Sequence, residues 1–330
     1  MNTSPHITAR DAGMQHRRSR VALFAALIWS IGLVAASVLW LVGLVAAPFG
    51  TFVADDFTAL IDAPPHAVAS LLLVVVGITG VGIATRAITR AGTPPITLLA
   101  VYAGALTLFS TVVVADARVM ALIGYALSFR LVPLDGPLTL QLGMLLGSAV
   151  WIAAAVRAPA GRIIAVDGRR PSGLATVAVA IAVAVPAIYA AVRFAWAAGI
   201  PLGISDQMLV DGQESGLWNI GLGLASVAAA VALLTLGLVQ RWGERLPRWV
   251  PALGGRRVPL SLAAVPVTIG ALAIFAGGVM FVRVFMTGAF PLSENWSTVG
   301  PELLWPLWAI ALAVALAEYL RRRVRIDRLA

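Results

Sequence analysis

The 330-residue sequence predicts an all-α polytopic membrane bundle with eight transmembrane helices, and three observations carry that reading. Hydrophobic residues make up 60% of the chain and charged residues 12%, far outside the soluble globular range. Eight apolar stretches reach or approach the roughly 20 residues an α-helix needs to cross a bilayer. Arginines gather in every second gap between those stretches.

The elements follow in order. Helix one is placed over 21–47, after Arg10, Arg17, Arg18 and Arg20 and before Pro48. Its basic flank and the Val45-Ala46-Ala47 segment fit a secretory signal loosely. The apolar run is about twice a normal signal core, so it reads as a retained helix. Helix two, 66–85, opens at His66 behind Pro64-Pro65 and closes at Arg86 and Arg90. Helix three is the anomaly. A continuous helix over 96–129 would be roughly 50 Å long, against a hydrocarbon core of about 30 Å. The alternative ends it near Ala115 and makes 116–130 a short interfacial helix. Helix four, 137–157, ends at Arg157. Helix five, 173–198, follows an uncharged run that stops at Arg193. Helix six is 216–240 and ends at Arg241. Helix seven is 259–287. Helix eight, 300–320, is short in uncharged residues, but Trp296 to Tyr319 extends it to a full span.

Sidedness follows from the gaps. The ends before helix one and after helices two, four, six and eight hold twenty arginines against five acids. The opposite ends hold ten acids and four arginines. The positive-inside rule then predicts a plasma (inner) membrane protein with both termini cytoplasmic. The expected plan is a cytoplasmic arm over 1–20, a transmembrane domain over 21–320 and a basic cytoplasmic tail over 321–330. The net charge of +9 is explained by this sidedness rather than by a nucleic-acid partner.

A repeat runs through the second half. Arg193 precedes Pro201-Leu202, and Arg283 precedes Pro291-Leu292, at an offset of 90. Trp218 and Trp308 keep that offset, and Pro133-Leu134 with Trp151 forms a fainter copy. The expected unit is an outgoing helix, a Pro-Leu turn and a returning helix with an early tryptophan, so four parallel hairpins make eight spans. Proline ends a helical ladder and tryptophan suits the interfacial belt, so convergence on these two rules is the alternative to duplication; the arginine at a shared offset follows from neither rule and favours duplication.

Composition removes several chemistries. Every basic side chain is arginine, so no lysine Schiff base can form. There is no cysteine, hence no disulfide or thiolate site. His6, His16 and His66 all lie outside or at the edge of the apolar runs. Asp167-Gly168-Arg169-Arg170 starts like a lipid phosphotransferase signature, but 171–192 lacks the further aspartates its metals need. Gly77-x-x-Gly80-x-Gly82 lies inside an apolar helix and reads as packing glycine, not a nucleotide loop. No catalytic residue, cofactor or metal set is expected.

Charges at membrane depth supply the candidate binding residues: Asp116, Arg118, Arg193 and Arg283. A charge there costs several kcal/mol and normally faces the bundle interior with a partner. Arg193 and Arg283 are natural partners for Asp116, and with Arg118 they line an outward cavity for an anion or lipid phosphate. The bland alternative is that both arginines snorkel to the outer surface. Asp55, Asp56, Asp62, Asp135, Asp206, Asp211, Glu214, Glu294 and Glu302 read as a solvated outer rim. Asp55 and Asp56 weakly resemble the first-loop acids of lipid-dependent glycosyltransferases and are the outer-rim alternative site. Glu318 reads as helix-end pairing with Arg321 and Arg322.

The loop Trp242-Gly243-Glu244-Arg245-Leu246-Pro247-Arg248-Trp249-Val250-Pro251, continuing through Gly254-Gly255-Arg256-Arg257-Val258-Pro259, resembles a cytoplasmic loop of uncharacterised multi-pass membrane proteins of high-GC actinomycetes. The resemblance implies no activity. Physically, the loop reads as an interfacial anchor, with two tryptophans at the headgroups and five arginines near anionic lipid. The expected function is a non-enzymatic carrier or accessory protein handling a lipid-like or anionic small molecule. The alternatives are a membrane-embedded transferase at the outer face and a structural or assembly subunit. The bilayer and its anionic cytoplasmic headgroups are the expected partners; a protein partner is left open.

Overall fold

In a computed structural model, the described residues are 9–49, 65–89, 96–114, 119, 122, 134–157, 162–165, 168–251, 253–286 and 292–327. Within them the helices are α1 (Ala9–Leu41), α2 (His66–Thr89), α3 (Ile96–Leu108), α4 (Gly136–Arg157), α5 (Gly173–Ala197), α6 (Asp206–Glu214), α7 (Leu217–Thr235), α8 (Leu260–Met286), α9 (Leu292–Val299) and α10 (Trp305–Arg323). Eight stretches are long and apolar enough to cross a membrane; they lie on every helix except the short α6, the last running from Asn295 in α9 through α10. Helix is the form such segments must take, because lipid offers no partner for an unpaired backbone amide. Leucine, isoleucine and valine side chains stand exposed along the outer faces, among them Ile28, Val75, Val101 and Val177. That surface suits hydrocarbon and not water, so the protein is an integral, multi-pass membrane protein.

The long form of helix three is not what forms. After α3 the chain makes a π-helical turn, Phe109–Val113, and leaves helical geometry at Val114 (φ −99°, ψ 27°). A π turn shifts carbonyl registry. Here the carbonyl of Ser110 accepts from Gln141 Nε2 (3.2 Å), and that of Val112 accepts from Arg283.

The spans form two four-helix groups with one plan. In the first, α1 packs on α2 and α4, and α3 packs on α4, giving the order α2–α1–α4–α3. In the second, α5 packs on α7 and α10, and α8 packs on α10, giving α7–α5–α10–α8. Each expected hairpin partner pair touches along this series. The groups join where α8 meets α4 and the π turn.

The first ring is closed. Tyr102 on α3 donates to the Val76 carbonyl on α2 (2.8 Å). Gly80 permits this approach: a Cβ there would lie 2.5 Å from Ser30 Oγ and 2.6 Å from the Tyr102 hydroxyl. Its centre is filled by Leu23, Leu73, Leu106, Met144 and Trp151. Trp151 meets the Tyr102 ring edge-on at 4.4 Å. The tryptophan placement expected from the belt rule therefore needs correction. Trp151, Trp218 and Trp308 are all buried in protein rather than facing headgroups, Trp151 and Trp308 in the cores of the two rings and Trp218 against Trp196 and Leu209 beneath the outer connection.

Loops after α4, α7 and α10 meet at the arginine-rich end. Two four-residue strands, β1 (Arg162–Ala165) and β2 (Val324–Asp327), pair antiparallel there, with Ile163 opposite Ile326. This ribbon is a small addition to an otherwise helical protein. The 241–258 loop folds back on itself through Leu246 N–H to Arg256 O (3.0 Å) and Val258 N–H to Glu244 O (2.9 Å). Arg323, fully buried, donates to the carbonyls of Gly243 (3.1 Å) and Val258 (3.3 Å). Arg322 pairs with Glu244 (3.3 Å), whose other oxygen accepts from the Gly168 amide (3.0 Å). So Arg322 leaves the pairing expected with Glu318, which keeps Arg321 (2.9 Å). The helix that carries these arginines runs on through Arg323 into β2, as α1 begins at Ala9 within the amino-terminal arm.

Candidate functional site

The second ring differs from the first at one seam. Helices α7 and α8, which complete its circuit, make little contact with each other. A groove of about 730 Å³ lies between them, backed by α5 and α10. Val227, Val231 and Leu234 supply one wall; Leu262, Pro266 and Gly270 supply the other. Leu234 is 65% and Leu262 61% exposed, so the seam opens sideways along the hydrocarbon-facing surface. Both ends are covered. At the arginine-rich end the folded loop presents Trp242, Leu246 and Val258 to the groove. At the acid-rich end stand Tyr189, Arg193 and Glu302.

That end is built by two outer connections locked together. Ser205 caps α6, its hydroxyl accepting from Met208 N–H (3.2 Å). The Ser205 amide donates to Asn295 Oδ1 (3.1 Å), and Ser297 Oγ donates to the Leu202 carbonyl (2.6 Å). Ser205 and Asn295 stand 90 positions apart, the offset of the sequence repeat. Gly203 lies at φ 68° beneath Trp296, where any Cβ would collide with the indole at 2.5 Å. Behind this cover, a single 3₁₀ turn, Glu302–Leu304, starts α10. It carries Glu302 inward, where the carboxylate pairs with Arg193. The Arg193 guanidinium also lies over the rings of Trp196 (4.2 Å) and Tyr189 (5.0 Å).

Glu302 corrects the rim reading. It is 2% exposed, although Asp206, Asp211 and Glu214 do sit in the exposed rim. Asp135 instead caps α4, its Oδ1 accepting from the Leu138 amide (3.0 Å). A single acid near a helix start looks solvated to any one-dimensional scale. The available signal was spacing: Glu302, Trp305 and Trp308 recur every three residues, so they share a face.

Of the expected binding residues, Arg193 lines the groove. Arg283 does not; it reaches the π turn at the joint between the rings, where its other terminal nitrogen, Nη1, is buried without a partner. Asp116 and Arg118, with Asp55, Asp56, Asp62 and Asp167, lie outside the described residues. Among the described residues, no group of three or more potential metal ligands converges. Gly77 and Gly80 pack against Ser30 and Val34 of α1, as expected of packing glycines, whereas Gly82 faces open space and does not pack. No family model matches this chain, and no curated protein or solved structure is detectably similar to it.

Proposed function

We propose that the protein is a non-enzymatic carrier or accessory protein of the plasma membrane that holds one lipid-like molecule in the groove between α7 and α8. The single observation behind this reading is the groove's form. It is apolar along its length, open sideways to hydrocarbon and covered at both ends. A molecule reaching it therefore comes from the bilayer and not from water. Its 730 Å³ falls inside the ~300–1,000 Å³ range of sites that enclose one small ligand. On this reading the arginine-rich end faces the cytosol, with exposed Trp249 and its neighbouring arginines resting on anionic headgroups.

The test is native mass spectrometry of the full chain released from lipid nanodiscs. Gly270 faces open space, so Gly270→Leu fills the groove without a clash and favours helix. Wild type should carry a bound lipid that the variant loses at unchanged melting temperature. Equal lipid occupancy in both would refute the proposal.

A further inference from the structure

We infer that the groove's occupant carries an apolar chain longer than one leaflet, with its head at the acid-rich end and its chain tip under the folded loop at the arginine-rich end. This rests on the groove being a lipid site and adds the length and direction of the chain it takes.

The length follows from where the lining residues stand. Along α8 they run from Leu262 to Phe281, a rise of roughly 28 Å at 1.5 Å per residue. Along α7 and the 3₁₀ turn that follows it they run from Leu224 to Leu238, and along α10 from Trp305 to Tyr319, roughly 21 Å each. A hydrocarbon core is about 30 Å thick, and each leaflet supplies about half of it. The groove therefore crosses the midplane, and a chain confined to one leaflet fills only part of it. Carbon–carbon bonds of about 1.5 Å at tetrahedral angles advance an extended chain by roughly 1.25 Å per carbon. A chain that follows the whole α8 wall then has at least about 22 carbons.

Direction follows from the two ends. At the arginine-rich end the groove is lined by Leu238, Trp242, Leu246, Val258 and Tyr319. The Trp242 N–H is taken by Gln240 Oε1 (2.5 Å), and the Tyr319 hydroxyl donates to the Gly243 carbonyl (2.8 Å). The charged residues of that end, Glu244, Arg322 and Arg323, pair within the fold and are not part of the lining. Arg193 and Glu302, at the opposite end, are the charged residues that line the groove. A polar head pressed under the folded loop would give up water for side chains already engaged, at about 1–3 kcal/mol per bare polar group. A methyl chain tip loses nothing there. A second lipid reaching in from the arginine-rich side would meet the same cost at its head, so one long chain fits these walls better than two short ones laid end to end.

The test uses the full chain in phosphatidylcholine vesicles with two photoreactive probes, unbranched primary alcohols of 12 and 24 carbons bearing a diazirine next to the chain tip. Their small uncharged heads leave the Arg193–Glu302 pair intact. Labelled residues are mapped by mass spectrometry. Val21 and Phe24, exposed on α1 at the same arginine-rich end, report labelling from the surrounding bilayer. The 24-carbon probe should label Trp242, Leu246 and Val258 at least fivefold more than that reference. The 12-carbon probe, about 15 Å long when extended, should instead label the middle of the groove near Gly270 and Ile274. Loop labelling by the 12-carbon probe equal to that by the 24-carbon probe would overturn the inference in favour of two shorter occupants. Loop labelling by the 24-carbon probe no higher than the α1 reference would overturn it too, since the chain would then stop short of that end. Either result leaves the groove a lipid site where its middle is labelled above the reference. Labelling of no groove residue above the reference by either probe would remove the lipid site itself.

Discussion

Replacing Glu302 with glutamine tests whether the second ring is held by a true buried ion pair. The change keeps shape and removes one charge. Glu302 is 2% exposed and Arg193 15%, so neither charge recovers much solvation from water. Removing one partner of a buried pair typically costs about 3–5 kcal/mol. Here Arg193 retains the faces of Trp196 and Tyr189, and a cation over a desolvated ring recovers up to about 2 kcal/mol. The expected net loss for Glu302→Gln is therefore about 2–3 kcal/mol. Arg193→Met should cost a similar amount by stranding the carboxylate. The double variant Arg193→Met/Glu302→Gln leaves no buried charge and should lose only about 1–2 kcal/mol. The coupling energy is then at least about 2 kcal/mol. Unfolding in mixed detergent micelles, followed by tryptophan fluorescence, measures all three. Strictly additive losses would refute the reasoning, since that is how two side chains with independent surroundings behave.

Further expectations concern packing, the end loop and sidedness. Gly80→Leu should lower stability by about 1–3 kcal/mol, because its Cβ alone meets Ser30 Oγ and the Tyr102 hydroxyl; a thermal melt checks this, and no change would mean the first ring is looser than drawn. Glu244→Gln weakens the hold of Arg322 and Gly168, so amide exchange over 241–258 should rise at least tenfold while the spanning helices stay protected; unaltered exchange would assign the loop's rigidity elsewhere. The chain has no cysteine, so single cysteines can be placed freely. In intact cells a cysteine at exposed Glu214 should react with an impermeant maleimide, and one at Trp249 should react only after permeabilisation, whereas the reverse pattern would invert the assigned orientation.

The spans were legible because hydropathy and length decide them residue by residue. The helix expected over 137–157 forms as Gly136–Arg157, and that over 173–198 forms as Gly173–Ala197. Each apolar run is its own evidence, and lipid enforces the helix whatever its neighbours do. Helix three shows where this stops. Its apolar character continues past Val113, but a π turn ends the regular ladder, and hydropathy does not register a shift in hydrogen bonding. The site was less legible, for a different reason. Arg193 stood out as a charge inside an apolar run. Its partner, 109 positions away, looked like one more acid near a surface. Whether Glu302 faces water or Arg193 depends on the turn that begins α10 and on the cover built by two outer connections. Neither is a property of the residues around it in the chain. The tryptophans misled similarly, since a belt and a ring centre draw on the same residue type at the same helix depth.

The seams of the two rings are closed in different ways. Both have the order of a hairpin pair with its first and last helices at the centre. In the first, Tyr102 crosses from α3 to a carbonyl of α2, and Gly80 gives its hydroxyl room. The seam is sewn by one hydrogen bond and packed around Trp151 and Met144. In the second, the tyrosines and tryptophans lining the groove sit on α5, α10 and the end loop, and α7 and α8 face it mostly with aliphatic side chains, with Pro266, Gly270 and Phe281, and with a Thr235 hydroxyl already bonded to the Val231 carbonyl. Pro266 has no N–H to give, so the carbonyl one turn earlier also lacks its usual helical partner. Aliphatic walls facing each other across a gap of this size would ordinarily collapse, since packing is favourable in lipid as in water. A buried ion pair stands near each end of this gap, Arg322–Glu244 on the folded loop and Arg193–Glu302 under the outer cover. On the proposed reading, a lipid-like molecule occupies this gap and takes the place of the missing contact between α7 and α8.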